Sequence, residues 1–192
     1  MAVKFIQWLG ISLLLSACAT TPPITQAPYE SHSRQALYSL QYWSFEGRLA
    51  INKQKESWQA NINWQHFPDK ELIKLSGPLG QGATLIELTD NLVTINRGDG
   101  KVQSSSQIEA FINQQLGLFV PVQSLRYWVI GLPEKQLKVT ESETGFYQAG
   151  WLIEYKQMQT VDTQLIPKKI NVMNTQVKLK LIIDQWDLHG TR

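Results

Sequence analysis

Strict alternation of apolar and polar side chains is the feature that most limits how this chain can fold. The clearest run covers residues 58–65 and reads WQANINWQ, and residues 45–52 and 177–186 alternate in the same way. Because neighbouring side chains of a strand point to opposite faces, a period of two predicts strands with one apolar and one polar face. The sequence therefore favours a β-rich fold in which one face of a sheet is buried.

Several shorter strands are predicted as well, and residues typical of turns lie between some of them. Further short strands are predicted at residues 72–75, 84–88, 92–96, 137–140, 151–155 and 169–173. The connections at Asp90-Asn91, at residues 97–100 and at Asn174 suit hairpins, because Asn, Asp and Gly tolerate positive φ. Antiparallel strands in sequence order form a meander, so we predict a mostly β (α+β) fold with a strongly curved sheet or partial barrel.

Three short amphipathic helices are predicted to cover one face of this sheet. Ser106 and Glu109 have the spacing of a capping box, and Gly117 suits the position just after the end of that helix. Pro121 suits the first position of a second helix. A weaker pattern at residues 33–41 predicts the third.

The first thirty residues are typical of a targeting segment. Lys4 precedes an apolar run at residues 5–15, which as a helix spans about 16 Å and is too short for a hydrocarbon core of about 30 Å. The run ends in Leu-Ser-Ala-Cys, which resembles the lipobox of bacterial lipoprotein precursors, with Cys18 as the lipidated residue. We therefore predict a signal peptide at residues 1–17. Cys18 and a flexible Pro-rich tether then take up residues 18–30, and a single domain takes up residues 31–192. Ala19, rather than Asp, follows the cysteine and favours sorting to the outer membrane.

Charge and motif content argue against several function classes. Without Lys4, 17 of the 18 basic residues remain beside 16 acidic ones, a balance that disfavours nucleic acid as a partner. The histidines, His32, His66 and His189, lack metal-ligand spacing and are interpreted as structural or solvated. We find no nucleophile elbow or phosphate-binding loop in the sequence, and we expect no enzyme activity, metal or cofactor.

One turn has unusual chemistry. Residues 75–82 read LSGPLGQG and join two predicted strands, which places Leu79 between Pro78 and Gly80 at a tip where polar residues are usual. Two hypotheses are open at this point. The leucine folds back onto the sheet, or it is an exposed apolar tip that contacts lipid or a lipidated cargo.

Four segments carry a family resemblance. They are FEGRLAI at residues 45–51, LSGPLGQGATLIEL at residues 75–88, LRYWVIGLP at residues 125–133 and the stretch at residues 169–188, which ends in KLKLIIDQWDL. In these segments and in the lipobox the chain resembles the LolB family, the outer-membrane lipoprotein receptors of Gram-negative bacteria. The resemblance spans nearly the whole chain in the right order.

The resemblance implies a fold and a function. LolB-like proteins are incomplete antiparallel β-barrels whose concave face is covered by helices and encloses an apolar cavity. They accept triacylated lipoproteins from a soluble periplasmic LolA-like carrier and insert them into the inner leaflet of the outer membrane. Pro78, Leu79 and Gly80 would form the membrane insertion loop. We expect a lipid-anchored monomer that faces the periplasm.

A cavity for acyl chains has a clear physical rationale. Three chains expose roughly 40 methylenes at about 0.8 kcal/mol each, so an unshielded crossing of the periplasm would cost about 30 kcal/mol. The residues predicted to line the cavity are Trp58, Ile62, Trp64, Leu85, Phe111, Trp128 and Leu181. An apolar cavity and a packed core have the same sequence pattern, so a structural or assembly lipoprotein that binds envelope proteins remains the alternative.

Overall fold

A computed structural model describes residues 29–53, 56–117 and 120–190 of the chain. The predicted signal peptide, Cys18 and the tether up to residue 28 lie outside these ranges, so those predictions remain predictions. None of the helices within the described ranges has the length and hydropathy of a membrane-spanning segment.

Eleven antiparallel strands form one open sheet. The strands are β1 (Trp43–Lys53), β2 (Glu56–His66), β3 (Glu71–Ser76), β4 (Thr84–Leu88), β5 (Val93–Asn96), β6 (Val102–Ser105), β7 (Val139–Ser142), β8 (Gly145–Gln148), β9 (Trp151–Val161), β10 (Gln164–Met173) and β11 (Val177–Asp187). Their order is β6-β5-β4-β3-β2-β1-β11-β10-β9-β8-β7, so β1 and β11 pair in the middle and β6 and β7 form the two edges. The predicted mostly β, incomplete antiparallel architecture is confirmed.

The period-two pattern places the core on one face of the sheet. In β1, Phe45, Leu49 and Ile51 are buried while Glu46 and Arg48 are exposed. In β2 and β11 the apolar residues of the alternating pattern are buried as well, on the same face of the sheet. The prediction missed β6 and β8, because VQSS and GFYQ do not alternate apolar and polar side chains over a full strand.

The predicted hairpin turns are built by side-chain oxygens. Asn174 Oδ1 accepts hydrogen bonds from the backbone N–H groups of Gln176 and Val177, both at 2.8 Å. In the β5–β6 turn, Asn96 Oδ1 accepts from the Gly98 N–H at 2.9 Å. These contacts explain why Asn suits both positions.

The helices differ from the prediction in their caps. They are a 3₁₀ helix (His32–Ser39), α1 (Ile108–Leu116) and α2 (Val122–Trp128). Gly117 ends α1 with φ of 69°, as predicted, but the capping box of Ser106 and Glu109 is wrong. Gln107 is the N-cap without a side-chain hydrogen bond, and Pro121 is the N-cap of α2 rather than its first residue. The Glu109 carboxylate instead accepts long hydrogen bonds, 3.4 and 3.5 Å, from the first two N–H groups of α2.

The folded part of the chain includes a residue that was assigned to the tether. The Tyr29 ring packs 5.1 Å from the Tyr155 ring and 5.5 Å from the Phe146 ring, and its hydroxyl donates to the Gly131 carbonyl at 3.0 Å. Burial raises the pKa of the Tyr29 hydroxyl well above its usual range. The packed domain therefore starts at least two residues before the predicted boundary at 31.

Gly47 provides a test of the central pairing. A Cβ at this position would lie 2.3 Å from the Ile182 carbonyl oxygen, at the irregularity where the β1–β11 register shifts. We expect Gly47→Ala to lower the free energy of unfolding by about 1–3 kcal/mol, because the added methyl forces the two backbones apart. Denaturant unfolding monitored by tryptophan fluorescence measures the change. Ala50→Gly, on the same strand, is the control and should cost only about 0.5–1 kcal/mol. Equal costs would contradict the close approach.

Candidate functional site

An apolar pocket of about 60 Å³ lies between the sheet and the two α-helices. Its lining is apolar throughout: Leu49, Ile51, Trp58, Ile62, Trp64, Ile73, Leu75, Ile86, Ile112, Leu116, Val120, Val122, Leu125 and Leu179. Strands β1 to β4 and β11 supply the floor, and α1 and α2 supply the roof. A surface of this composition can only bind an apolar ligand.

The pocket is small for its expected cargo. Small-molecule sites have volumes of about 300–1,000 Å³, several times the volume found here. The apolar cavity implied by the resemblance is therefore not shown at the size that acyl chains need. Side chains of α1 and α2 occupy the space above the sheet instead, as the burial of Ile112 and Leu125 shows.

The structure brings three of the seven predicted cavity residues to this pocket. Trp58, Ile62 and Trp64 line it from β2. Leu181 is buried in the core, but the β11 residue at the pocket is Leu179. Phe111 of α1 is partly buried against the core, and its neighbour Ile112 lines the pocket instead.

Two further predicted cavity residues lie elsewhere. Trp128 is fully buried, donates through Nε1 to Gln148 Oε1 at 2.8 Å and packs against Trp151, so it belongs to a separate part of the core. The assignment of Leu85 to the cavity is wrong. Leu85 is 42% exposed on the outer face of β4, and Ile86 faces the pocket. Choosing Leu85 instead of its neighbour Ile86 selects the opposite face of the sheet, because successive side chains of a strand alternate between the two faces.

Several lining residues were missed although the sequence carried a signal for some of them. Leu49 and Ile51 continue the apolar face of β1, and the register places them opposite Ala60 and Trp58 of β2. Alternation could have found these two. Val120 and Val122 line the pocket at the start of α2, through packing against distant strands that no local pattern encodes.

A buried carboxylate lies next to Trp64, one of the residues that line the pocket. Glu71, 5% exposed, accepts a hydrogen bond at Oε2 from Trp64 Nε1 at 2.7 Å, and its Oε1 lies 2.6 Å from His66 Nδ1. Arg126 Nη1 of α2 is 4.0 Å from the same Oε1. The His66 ring also stacks on Trp43, with centroids 5.0 Å apart. His66 is thus a structural residue, and Glu71 connects the sheet to the helix that covers the pocket.

Glu109 forms the second polar contact of the helical cover. Burial raises the pKa of the Glu109 carboxyl, and hydrogen bonds from the backbone N–H groups of Gln123 and Val122 oppose that effect. These hydrogen bonds are long, so they hold α1 to α2 weakly. The cover is therefore attached mainly by apolar contacts.

The loop between β3 and β4 exposes its leucine. The Gly80 N–H donates to the Gly77 carbonyl and the Gly77 N–H donates to the Gln81 carbonyl, both at 2.8 Å. Asn61 Nδ2 also donates to the Gly77 carbonyl at 3.3 Å. Leu79 stands at the tip of this turn and is 86% exposed. Of the two hypotheses for this segment, the structure shows the exposed tip.

Within the described ranges, no group of three His, Cys, Asp or Glu residues is arranged to hold a metal ion.

Comparison with known proteins decides the family. The family described as outer membrane lipoprotein LolB matches residues 41–186 of this chain. The chain belongs to the LolB family. The outer-membrane lipoprotein LolB of Chromohalobacter salexigens is 35% identical over 196 residues, covering 94% of this chain and 90% of the relative. That of Marinomonas sp. is 32% identical and covers 94% of this chain and 95% of the relative. The resemblance drawn from the four sequence segments and the predicted outer-membrane location are confirmed.

Solved structures agree on the fold. A LolA superfamily protein from Nitrosomonas europaea superposes with a TM-score of 0.51 at 8% identity, covering 80% of this chain and 89% of that protein. A DUF1329 family protein from Desulfovibrio piger also has a TM-score of 0.51, with coverage of 84% and 91%. At this identity the likeness supports the open antiparallel architecture of the LolB family member and nothing finer.

The Trp64–Glu71 hydrogen bond makes a testable contribution to stability. Trp64→Phe removes the indole N–H and leaves a buried carboxylate oxygen without that donor, so we expect unfolding to become easier by about 1–3 kcal/mol. Equilibrium denaturation measures the change. In a Glu71→Leu background the same substitution should cost clearly less, and additive costs in the double-mutant cycle would contradict the assignment.

Proposed function

We propose that this LolB-family protein accepts triacylated lipoproteins from a LolA-like periplasmic carrier and inserts them into the inner leaflet of the outer membrane. The observation that carries the proposal is Leu79, an apolar side chain 86% exposed at the tip of a hydrogen-bonded loop. Exposing a leucine there has no benefit for folding. It suits a residue that enters a lipid phase.

The pocket under α1 and α2 is the proposed acyl-chain site. It is apolar throughout and lies between a sheet and a cover that is attached by apolar side chains and by a few hydrogen bonds, which include the long ones of Glu109 and that of Arg97 to Gln115. Displacing the cover would expose the floor residues Ile62, Trp64 and Ile73, and acyl chains would rebury them. Each buried methylene contributes about 0.8 kcal/mol, so even one acyl chain can offset the loss of many helix contacts.

Transfer by this route runs downhill in free energy. A protein without an energy source can shift cargo only by differential affinity, so the receiver must bind acyl chains better than the carrier, and the membrane better still. A pocket that α1 and α2 can close suits this order of affinities. Closure favours the release of cargo once the acyl chains can enter lipid.

The anchor of the protein follows from the sequence prediction. We propose that residues 1–17 are removed and that Cys18 carries the lipid, with the segment up to residue 28 as the tether to the domain. Residues from Tyr29 onward form that domain, which would act as a monomer on the periplasmic side of the outer membrane.

Leu79→Glu tests the insertion step. A carboxylate at the tip opposes entry into hydrocarbon, so lipoprotein insertion into vesicles should fall at least tenfold, while transfer from a loaded carrier to the protein stays within twofold of wild type. Both steps are measured with the full lipidated chain and labelled cargo. Leu165→Glu is the matched control, because Leu165 is 51% exposed and far from this loop in sequence. Equal losses in the two variants would contradict a specific role for Leu79.

Photocrosslinking from β2 tests the acyl-chain site. Benzoylphenylalanine in place of Trp58, which lines the pocket, should capture the acyl chains of cargo during transfer. The same residue in place of Gln59, which points to the outer face, is the control. Capture from Gln59 alone would overturn the pocket assignment. Capture of envelope proteins but no acyl chains from either position would favour the structural or assembly alternative.

A further inference from the structure

Leu79 is not the only exposed apolar side chain at its end of the sheet. The β3–β4 loop leads into β4, and the neighbouring β5–β6 turn leads into β6 at the same end. Leu85 is the second residue of β4 and Val102 is the first residue of β6. They are 42% and 60% exposed, respectively.

Strand register places these two residues in one row on the outer face. Lys74 of β3 pairs with Leu85, Leu85 pairs with Asn96 of β5, and Asn96 pairs with Val102. Directly paired residues of antiparallel strands share a face, so all four side chains belong to the outer face. With strands about 4.8 Å apart, the row is about 14 Å long. We call this row the strip: its apolar members are Leu85 and Val102, with Asn96 between them, and it runs from β3 to the edge strand β6.

Charge at this strip suits a surface of anionic headgroups. Lys74 and Lys101 are exposed at the strip, and within the described residues neither ammonium group forms an ion pair. Arg97 adds a third cation, although its guanidinium also donates to Gln115 of α1 at 2.9 Å. Two carboxylates are nearby: Asp99, which accepts from the Lys101 backbone N–H at 3.0 Å, and Glu87, two residues after Leu85 on the same face of β4. Apolar side chains bordered by cations are typical of surfaces that dock on anionic membranes.

We propose that the outer face of β4–β6, with Leu85 and Val102 flanked by Lys74 and Lys101, docks on an anionic lipid surface next to the Leu79 loop. This proposal rests on the proposed membrane insertion by Leu79 and extends the contact from one loop to a face. Contact along the strip fixes how the domain is rotated on the membrane about the Leu79 loop. A single inserted side chain leaves that rotation free. The edge strand β6 then lies against the membrane.

Site-specific fluorescence can map this contact in the full lipidated chain. Cys18 is the only cysteine in the sequence and carries the anchor, so one introduced cysteine gives a single labelled thiol. We would place a bimane label at Leu79→Cys, Leu85→Cys, Val102→Cys and Leu92→Cys. Leu92 is the matched control, because it is 44% exposed but lies at the opposite end of β5. The proteins are reconstituted in phosphatidylethanolamine vesicles with either phosphatidylglycerol or phosphatidylcholine and with brominated acyl chains as quenchers.

The expected result is quenching at positions 79, 85 and 102 and little at 92, with weaker quenching at 85 and 102 in phosphatidylcholine vesicles. Replacing Lys74 and Lys101 by Gln should lower the docked fraction relative to the undocked fraction by about fivefold for each lysine. Quenching at 79 without quenching at 85 or 102 would overturn this proposal and leave the insertion loop standing. Quenching at 85 and 102 but not at 79 would support the strip and refute the loop. Equal quenching in the two vesicle types would overturn the role of the lysines.

Discussion

The pairing of β1 with β11 is the interaction on which the rest of the structure depends. One half of the sheet grows outward from β1 to β6 and the other from β11 back to β7, so this ladder alone joins the two halves in the middle of the sheet. It runs from Ser44–Asp187 to Lys53–Val177 and unites strands separated by most of the chain. Without it each half would expose an additional strand edge with unpaired backbone N–H and C=O groups. Gly47 permits the pairing at its irregular point, where a side chain would meet the Ile182 carbonyl.

An open sheet leaves the domain with an apolar face that its helices must cover. The interactions that attach these helices differ from those that join the strands. Backbone ladders hold the strands, whereas α1 and α2 are held by side-chain packing, the long Glu109 hydrogen bonds and the charged neighbourhood of Glu71. Packing contacts can be replaced by acyl chains at little net cost, but ladder hydrogen bonds cannot. In the proposed function, this difference would let the pocket of about 60 Å³ open into a larger lipid site while the sheet stays intact.

The fold was more predictable than the site. Alternation located most strands, and Asn174 and Gly117 marked a turn and a helix end at the right residues. The cavity list was less accurate, because it needed both the face and the three-dimensional neighbours of each residue. Leu85 lies on the outer face, whereas Trp128 and Leu181 are buried in the core but do not line the pocket. Glu71 was missed entirely, since a carboxylate at the start of a strand looks like an ordinary surface residue until Trp64 and His66 are seen beside it.

The sequence by itself determined which segments form strands, which side of each central strand is apolar, where several turns lie and to which family the chain belongs. These properties depend on local backbone geometry and on short motifs, so neighbouring residues suffice to specify them. Only the tertiary structure decided that the pocket under α1 and α2 has a volume of about 60 Å³, that Leu79 is exposed to solvent, and that Leu85 and Val102 share a row with Lys74. The volume of a pocket and the exposure of a side chain depend on packing between elements far apart in the chain, which no local pattern encodes.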